Sequence, residues 1–367
     1  MEPALLIENL SFRYRSRQEL ALKDIQLTVT RGEILLIAGA SGCGKTTLAR
    51  CINGLIPRSY KGELSGRIQI CGIDIAAMPL AKISQMVGTV LQDPERQILG
   101  SRVLSEVAFG LENLGLPREE ILAAAHQALE HLGISELRDR ETFNLSGGEK
   151  QKVALAGVLA MKPNLLLLDE PLASLDPASA QETLEIVRRL ADEGMTVLMV
   201  EHRVEDVLKI SPDRVLYLQG GEIRYLGRLE GLYHSINYRE VKLPAPMIAQ
   251  LAKQEEKSQV FVPRLPSAEN PDKTSLVSFR EVCFFYDEDK PVLKGVNLDI
   301  RRGDIIAVLG ANGAGKTTLV KHAIGLLKPK SGQVLVNGRD THLQSVAQIA
   351  QVLGYCLLYT SPSPRDS

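Results

Sequence analysis

Nine residues, from Gly39 to Thr47, contain the pattern G-x-x-x-x-G-K-T, whose residue types suit the binding of phosphate groups. The apolar run at 34–38 predicts a buried strand before them, and 48–55 predicts a helix after them. Glycines let backbone N–H groups turn toward phosphate oxygens, and a helix start adds partial positive charge. We expect Lys45 to reach the β- and γ-phosphates of a nucleotide and the Thr46 hydroxyl to bind Mg²⁺. The predicted nucleotide-contacting residues of this loop are Gly39, Ser41, Gly42, Gly44, Lys45, Thr46 and Thr47.

Two adjacent carboxylates, Asp169 and Glu170, follow a second apolar run. The four leucines at 165–168 predict a strand buried on both faces of a parallel sheet, and α/β sheets bind their ligands at the carboxyl ends of such strands. Asp169 is therefore suited to holding the Mg²⁺ shell, and Glu170 is suited to polarising an attacking water. The alternative is that both acids serve only structural pairing.

Three more side chains are candidates for the same site. Gln92 follows a short predicted strand at 87–91, where it can bind Mg²⁺ and sense a γ-phosphate. His202 follows the predicted strand at 196–200, where it can donate to the γ-phosphate and hold the water in line. Tyr14 lies one strand pair ahead of the phosphate loop and can stack on an adenine ring, although it can equally be a core or edge tyrosine.

The string Leu145-Ser146-Gly147-Gly148-Glu149 combines a capping-box spacing with two glycines. The glycines leave first-turn N–H groups open to a ligand. Taken alone, the spacing of Ser146 and Glu149 is that of an ordinary helix cap, and that alternative stays open on these residues.

The remaining patterns predict the elements that position these groups. Residues 4–38 and 66–75 alternate as short strands, and 101–138 turn helical. Asp176 and Pro177 predict the start of a helix that ends near Glu193. These elements predict an α/β domain with a mostly helical insertion.

Composition excludes several other classes of protein. Lys and Arg number 43 against 44 Asp and Glu, so the formal net charge of −1 gives no electrostatic reason to expect nucleic acid or an anionic membrane as partner. The longest apolar runs have the length of strands, well below the roughly 20 residues of a membrane span. The first residues lack the features of a signal peptide, and the five cysteines lack the spacing of a zinc site, so we expect reduced thiols.

The order and spacing of these elements over 4–228 resemble the nucleotide-binding domain of ABC-type ATPases. The resemblance implies a P-loop NTPase fold of ABC type, with a parallel-sheet core, an antiparallel β subdomain and a helical signature subdomain. It implies that ATP with Mg²⁺ binds between two domains packed head to tail, where Ser146, Gly147 and Gly148 contact nucleotide held by an opposing loop. The residues that carry the resemblance are Tyr14, 39–47, Gln92, 145–149, 165–170, Asp176 and His202, and it adds Asp176 to the predicted nucleotide contacts.

A narrower resemblance covers 92–117, which looks like the same region of energy-coupling-factor transporter ATPases. Those proteins import vitamins or transition-metal ions, lie on the cytoplasmic face of the cell membrane, and work with a transmembrane T component and a substrate-binding S component. The resemblance implies that the region around 92–97 and 103–114 receives a helix of the membrane subunit.

Two alternatives stay open. One is an ATPase of another ABC importer class, for sugars, peptides or metal chelates. The other is a soluble tandem ATPase acting on ribosomes or nucleic acid, which the Pro-rich segment at 229–275, with its nearly balanced charge, disfavours because such proteins usually carry a long charged helical linker.

The phosphate loop appears twice, since 271 residues separate Lys45 from Lys316. Tandem ATPase halves fit some energy-coupling-factor proteins, and the second loop could face the signature helix of the first half. Tyr286 is the second candidate for adenine stacking, and Phe284 or Phe285 could serve instead. The predicted contacts of the second copy are Tyr286, Gly310, Gly313, Gly315, Lys316, Thr317 and Thr318, with Thr317 as a Mg²⁺ ligand.

The second copy is expected to be incomplete. It contains no Leu-Ser-Gly-Gly motif and no Asp-Glu strand, and Leu358 stands where the repeat places the second Gln. The string from Cys356 resembles the translation of a transposon-type sequencing adaptor, although a natural Pro/Ser-rich tail is the alternative. The predicted boundaries are 1–228 for a complete domain, 229–275 for a linker, 276–355 for the partial second domain and 356–367 for a non-native tail.

Overall fold

In the computed structural model the chain forms two compact units, residues 1–259 and 260–367. Except for 229–232 and 275, the predicted linker lies outside the described residues, and so does the predicted tail apart from Cys356. The structure describes residues 2–173, 175–202, 204–232, 275–286, 291–311 and 313–356.

The first unit contains two sheets. One is antiparallel with the strand order β2-β1-β4-β5, and the other has six strands in the order β10-β9-β3-β8-β7-β6, of which only β10 runs antiparallel to its neighbour. The strands are β1 (Leu5–Tyr14), β2 (Leu22–Val29), β3 (Ile34–Gly39), β4 (Gly62–Ile70), β5 (Ile73–Asp74), β6 (Val87–Val90), β7 (Leu165–Asp169), β8 (Thr196–Val200), β9 (Arg214–Gln219) and β10 (Glu222–Gly227).

Helices cover the sheets of the first unit and build its helical part. The helices are α1 (Lys45–Ile52), α2 (Leu55–Arg58), α3 (Leu80–Met86), α4 (Pro94–Gln97), α5 (Val103–Asn113), α6 (Arg118–His131), α7 (Gly147–Ala160), α8 (Pro177–Asp192), α9 (Val204–Val207) and α10 (Leu229–Leu232). Short 3₁₀ helices lie at Ser135–Leu137, Thr142–Asn144 and Leu208–Ile210.

The parallel strands are buried on both faces, as their apolar runs predict. Leu36 and Leu168 pack on one side with the helical part, while Leu35 and Leu167 pack on the other side with the antiparallel sheet. Because side chains alternate across a strand, one strand serves both cores. This arrangement fixes β3, β6, β7 and β8 side by side and brings their carboxyl ends to one edge of the sheet.

The helical part corrects the expectation that 103–114 as a whole forms a docking surface, because part of this region faces the core. Ala108 is buried among α5, α6 and α7, whereas its neighbour Phe109 is exposed. The reason is helical periodicity, since Val107, Ala108 and Leu111 lie on the face of α5 that packs inward. A charge at Ala108 would therefore disrupt the core and is unsuited to testing a surface.

The second unit repeats the antiparallel sheet in the order β12-β11-β13-β14. Residues 304–310, which correspond to β3, form no strand, and Ile305 and Leu309 are exposed. In the first unit β3 is held between β8 and β9, and no equivalent pair lies among the described residues of the second unit. The elements are β11 (Ser275–Phe285), β12 (Pro291–Arg301), α11 (Lys316–Ala323), β13 (Ser331–Val336), β14 (Arg339–Asp340), a 3₁₀ helix at Thr341–Leu343 and α12 (Val346–Ala350).

Candidate nucleotide-binding site

The phosphate loop of the first unit joins β3 to α1, and its glycines are required by its geometry. Gly39 has φ of +150° and Gly44 has φ of +111°, both in the region that favours glycine. A Cβ on Gly39 would lie 2.3 Å from the Leu218 carbonyl oxygen, and one on Gly44 would lie 2.7 Å from that of Ala21. Gly42, with φ of +78°, faces open space, so the middle of the loop is accessible to a ligand.

Lys45 is almost fully buried at the start of α1. Its Nζ donates to the carbonyl oxygens of Gly39, at 2.8 Å, and Ala40, at 3.0 Å, so the side chain folds back across the loop. Burial lowers the pKa of Lys45, while the Cys43 thiol, Glu170 and other nearby acids act in the opposite direction. A phosphate group within the loop would give this ammonium a stronger, charged acceptor than the two carbonyl oxygens.

Glu170 brings together the ends of three strands. Gln92 follows β6 and donates from Nε2 to Oε2 of Glu170 at 2.9 Å. His202 follows β8, and its Nε2 lies 2.9 Å from Oε1 of Glu170. Two of the three predicted catalytic side chains, Gln92 and His202, therefore contact the carboxylate of the third, Glu170.

Asp169, beside Glu170, has the properties of a cation ligand. Burial raises its pKa to about 6 from an ordinary 3.8, the charge of Glu170 adds to the rise, and Arg50 and Lys45 oppose it. Its Oδ1 is buried and has no hydrogen-bond partner within the described part of the chain. A buried carboxylate oxygen without a donor fits a hard cation such as Mg²⁺.

Tyr14 is anchored to the start of α1. Its hydroxyl lies 3.1 Å from Oγ1 of Thr47, and its ring packs edge-on against Phe12 with centroids 4.8 Å apart. The guanidinium of Arg17 lies 5.7 Å from the Tyr14 ring centroid. These contacts hold the ring beside the start of α1, and its stacking on adenine stays a prediction.

The Leu-Ser-Gly-Gly-Glu string forms a second group. Ser146 and Glu149 make a complete capping box, with the Ser146 N–H donating to Oε2 of Glu149 at 2.7 Å. Gly148 is buried, and a Cβ there would lie 2.8 Å from Oγ of Ser179, which in turn donates to Asp176. Among the described residues no hydrogen bond joins Ser146, Gly147 or Gly148 to the phosphate loop.

Two residues that organise these groups are not among the catalytic or nucleotide-binding residues predicted from the sequence. Gln97 accepts from the N–H of Leu91 at 2.9 Å and donates to the Thr89 carbonyl at 3.2 Å, so it closes the loop that carries Gln92. Glu201 is a buried carboxylate beside His202. The position of Glu201, directly after the apolar run of β8, could have indicated its role from the sequence. No feature of the sequence around Gln97 indicates its role.

The second unit reproduces the loop geometry of the first. Nζ of Lys316 donates to the carbonyl oxygens of Gly310 and Ala311, both at 2.7 Å, and the hydroxyl of Tyr286 lies 3.3 Å from Oγ1 of Thr318. Gly310, Gly313 and Gly315 all have positive φ, and Thr317 follows Lys316 in α11.

Comparison with known proteins decides the family. The family model described as ABC transporter matches residues 22–173 and 293–366, more than half of the chain. The chain belongs to the ABC transporter family. Its first unit has the α/β P-loop fold and antiparallel β subdomain of ABC ATP-binding domains, which are ATPases.

Curated relatives of this family match almost the whole chain. A protein of Methanosarcina mazei is 37% identical over 395 residues, covering 98% of this chain and 66% of its own length. A protein of Streptococcus pneumoniae is 38% identical over 369 residues, covering 95% of this chain and 66% of its own length. Their descriptions speak of ABC transporter ATP-binding proteins and name no substrate, and the chain spans about two thirds of their length.

Solved structures agree with the fold. CbiO1 of Clostridium perfringens, described as part of the ABC transporter complex CbiONQ, is 33% identical with a TM-score of 0.59, covering 69% of this chain and all of that chain. A nucleotide-free ATP-binding cassette from an ABC transporter is 26% identical with a TM-score of 0.56, covering 65% of this chain and 98% of its own. In the parts of the chain that the structure describes, no helix has the length and apolar character needed to cross a membrane.

Proposed function

We propose that this chain is the ATP-hydrolysing subunit of an energy-coupling-factor importer for a vitamin or a transition-metal ion. ATP hydrolysis, the first part of this proposal, rests on the hydrogen-bonding distances of Gln92 and His202 to Glu170. These residues lie at the edge of the sheet that also bears the phosphate loop. The similarity to CbiO1, a part of the CbiONQ transporter complex, supports the importer half.

Each residue of the site has a proposed role in ATP hydrolysis. Glu170 accepts a proton from the attacking water, and His202 orients the reacting groups by donating a hydrogen bond. Lys45 binds the β- and γ-phosphates once it leaves its carbonyl partners. When bound, Mg²⁺ neutralises charge on the phosphates. The residues that would hold it are Thr46, Gln92 and Asp169, with Thr317 in the second loop.

The signature residues have a role toward a different nucleotide. We propose that Ser146, Gly147 and Gly148 contact ATP held by an opposing ATP-binding domain, in the same chain or in another. Ser146 is exposed and Gly147 is partly exposed, so the start of α7 is available to such a ligand. Asp176, which caps α8 beside them, is proposed to contribute to the same contact.

The proposed membrane partner docks on a surface that includes Leu91, Leu99, Phe109 and Phe143. Leu99 and Phe143 are each 70% exposed, and the hydrogen bond from Thr142 to the Gly100 carbonyl holds their two segments together. Exposed apolar side chains of this size fit an amphipathic helix laid in a groove. The proposed partners are the T and S components, and the proposed place of the chain is the cytoplasmic face of the membrane, bound peripherally.

Two measurements test this function together. The full chain is assayed for Mg²⁺-dependent ATP hydrolysis with Lys45→Ala as the inactive control, and it is co-expressed with the membrane proteins encoded next to it. We expect turnover that Lys45→Ala abolishes, and co-purification of a small multi-span membrane protein. Turnover without any such partner would contradict the importer half, and an absence of turnover would contradict the ATPase half.

A further inference from the structure

Glu201 is a buried carboxylate at the end of β8, only 1% exposed. Its Oε1 accepts a hydrogen bond from the backbone N–H of Leu172 at 2.8 Å. Its Oε2 accepts one from the backbone N–H of His202 at 3.0 Å. One side chain therefore connects the turn after Glu170 to the residue that faces Glu170 from the next strand.

The turn that Glu201 holds is unusual in its backbone. Glu170 has φ of +50°, which an L residue with a long side chain rarely adopts, so surrounding contacts must hold it. The N–H of Glu170 donates to the Val200 carbonyl at 2.9 Å, and the N–H of Leu172 donates to Glu201. The end of β8 thus fixes the turn on both sides of the strained position.

Glu201 also lies against the strand that leads to the phosphate loop. Its own N–H donates to the Ile37 carbonyl of β3 at 3.2 Å. Its negative charge favours the protonated form of Lys45 and so opposes the lowering of the Lys45 pKa by burial. The residue consequently has contacts toward three parts of the site: the loop strand, the turn of the proposed base and the histidine.

We propose that Glu201 is a positioning residue for ATP hydrolysis, which holds Glu170 and His202 at the separation needed for reaction by accepting one backbone N–H on each carboxylate oxygen. The inference rests on the proposed ATPase function. Both carboxylate oxygens are needed, because a buried N–H without an acceptor destabilises the folded state. Hydrogen bonds to a charged acceptor are also stronger than those to a neutral one. A glutamine supplies one acceptor oxygen and turns an amide N–H₂ toward the other donor, so one of the two links must break.

Glu33 provides a matched control in the same domain. It is also a buried carboxylate and holds the N–H of Thr30 and the guanidinium of Arg214, but it lies at the opposite end of β3 from the phosphate loop. Glu33→Gln therefore removes a comparable buried acid without touching the site.

The experiment compares Glu201→Gln and Glu33→Gln in the full chain by steady-state ATPase assay and thermal unfolding. We expect both variants to unfold at lower temperature. We expect only Glu201→Gln to lower kcat, by about tenfold, with KM for ATP within about twofold of wild type, because the phosphate loop is unchanged. In a protein that already carries His202→Ala, Glu201→Gln should lower kcat by only about threefold or less. The effects of two substitutions are not additive when one residue acts through the other.

Several outcomes would overturn the inference. The first is an unchanged kcat in Glu201→Gln, and the second is an equal loss of kcat in Glu33→Gln. The third is a loss of kcat from Glu201→Gln that is as large in the His202→Ala background as in wild type. Should Glu201→Gln not fold, Glu201→Asp keeps the charge but is too short to reach both N–H groups, so wild-type turnover in that variant would also overturn it. Wild-type protein without turnover would overturn the proposed function and this inference with it, whereas active wild type with an unaffected Glu201→Gln overturns the inference alone.

Discussion

At the scale of single residues, Glu170 is the side chain whose loss should separate binding from chemistry. Glu170→Gln keeps the size of the side chain, and the amide can still hydrogen-bond to Gln92 or His202, but it cannot accept a proton from water. We expect ATP binding to persist and turnover to fall by about 10²-fold or more, the usual contribution of a general base. Steady-state hydrolysis and equilibrium ATP binding on the full chain measure the two effects.

The control for this change is Glu63→Gln, since the Glu63 side chain is 78% exposed in the antiparallel sheet. Glu63→Gln should leave both ATP binding and turnover unchanged. Turnover of Glu170→Gln within about threefold of wild type would rule out Glu170 as the base.

Asp169 gives a prediction about pH. Burial raises the pKa of Asp169 in the folded state to about 6 from 3.8. Protonated Asp169 therefore stabilises the folded state relative to the charged form. This contribution to the free energy of unfolding is fully present below the unfolded-state pKa of 3.8 and is lost as pH rises through about 6. Asp169→Asn removes the charged form, so we expect it to be more stable than wild type at pH 8 by about 3 kcal/mol, a difference that disappears below about pH 4. Urea denaturation of nucleotide-free protein at both pH values measures this.

Asp74→Asn is a control for which the expected change in stability at pH 8 has the opposite sign. A hydrogen bond from the Ala76 N–H, aided by Arg67, lowers the pKa of Asp74, so its stabilising effect is present above pH 3.8 and is lost as pH falls. Asp74→Asn should therefore be less stable than wild type at pH 8. A pH-independent difference between Asp169→Asn and wild type would contradict the burial of a charged Asp169.

At the scale of elements, the apolar side chains on the loops beside α5 and α7 should bind the membrane partner. We expect Phe143→Glu to abolish co-purification with the multi-span partner, because a charge would be desolvated in the docked groove. ATP binding should be unaffected, since Phe143 lies on the 3₁₀ turn before α7 and outside the phosphate loop. Pull-down from co-expressing cells and an ATP-binding titration measure both effects.

Ile73→Glu is the matched control for this surface, since Ile73 is 51% exposed on the antiparallel sheet. Retention of the partner by Phe143→Glu, or its loss in Ile73→Glu, would contradict the assignment of the docking surface. Ala108 lies in the region 103–114, for which the resemblance implies docking, but a substitution there is unsuitable for testing the surface because Ala108 is buried.

Most elements could be predicted because their signals are local. The cap at Asp176 with Pro177 predicts the start of α8, and the four leucines before Asp169 predict a doubly buried strand, as observed. The inward direction of Ala108 depended on how α5 packs on its neighbours. Likewise, the two partners of Glu201 come from a strand end and a distant turn, a contact that only the assembled sheet creates.

At the scale of the whole molecule, the two units show what a phosphate loop needs around it. The loop of Lys316 has the same hydrogen bonds as the loop of Lys45, so local sequence is sufficient for its shape. The preceding segment is different: β3 pairs with β8 and β9, while 304–310 are without strand structure. We therefore expect limited proteolysis to cut within 304–310 before it cuts β3, and ATP to protect a fragment containing the first unit. Cleavage of β3 at the same rate as 304–310 would contradict this expectation.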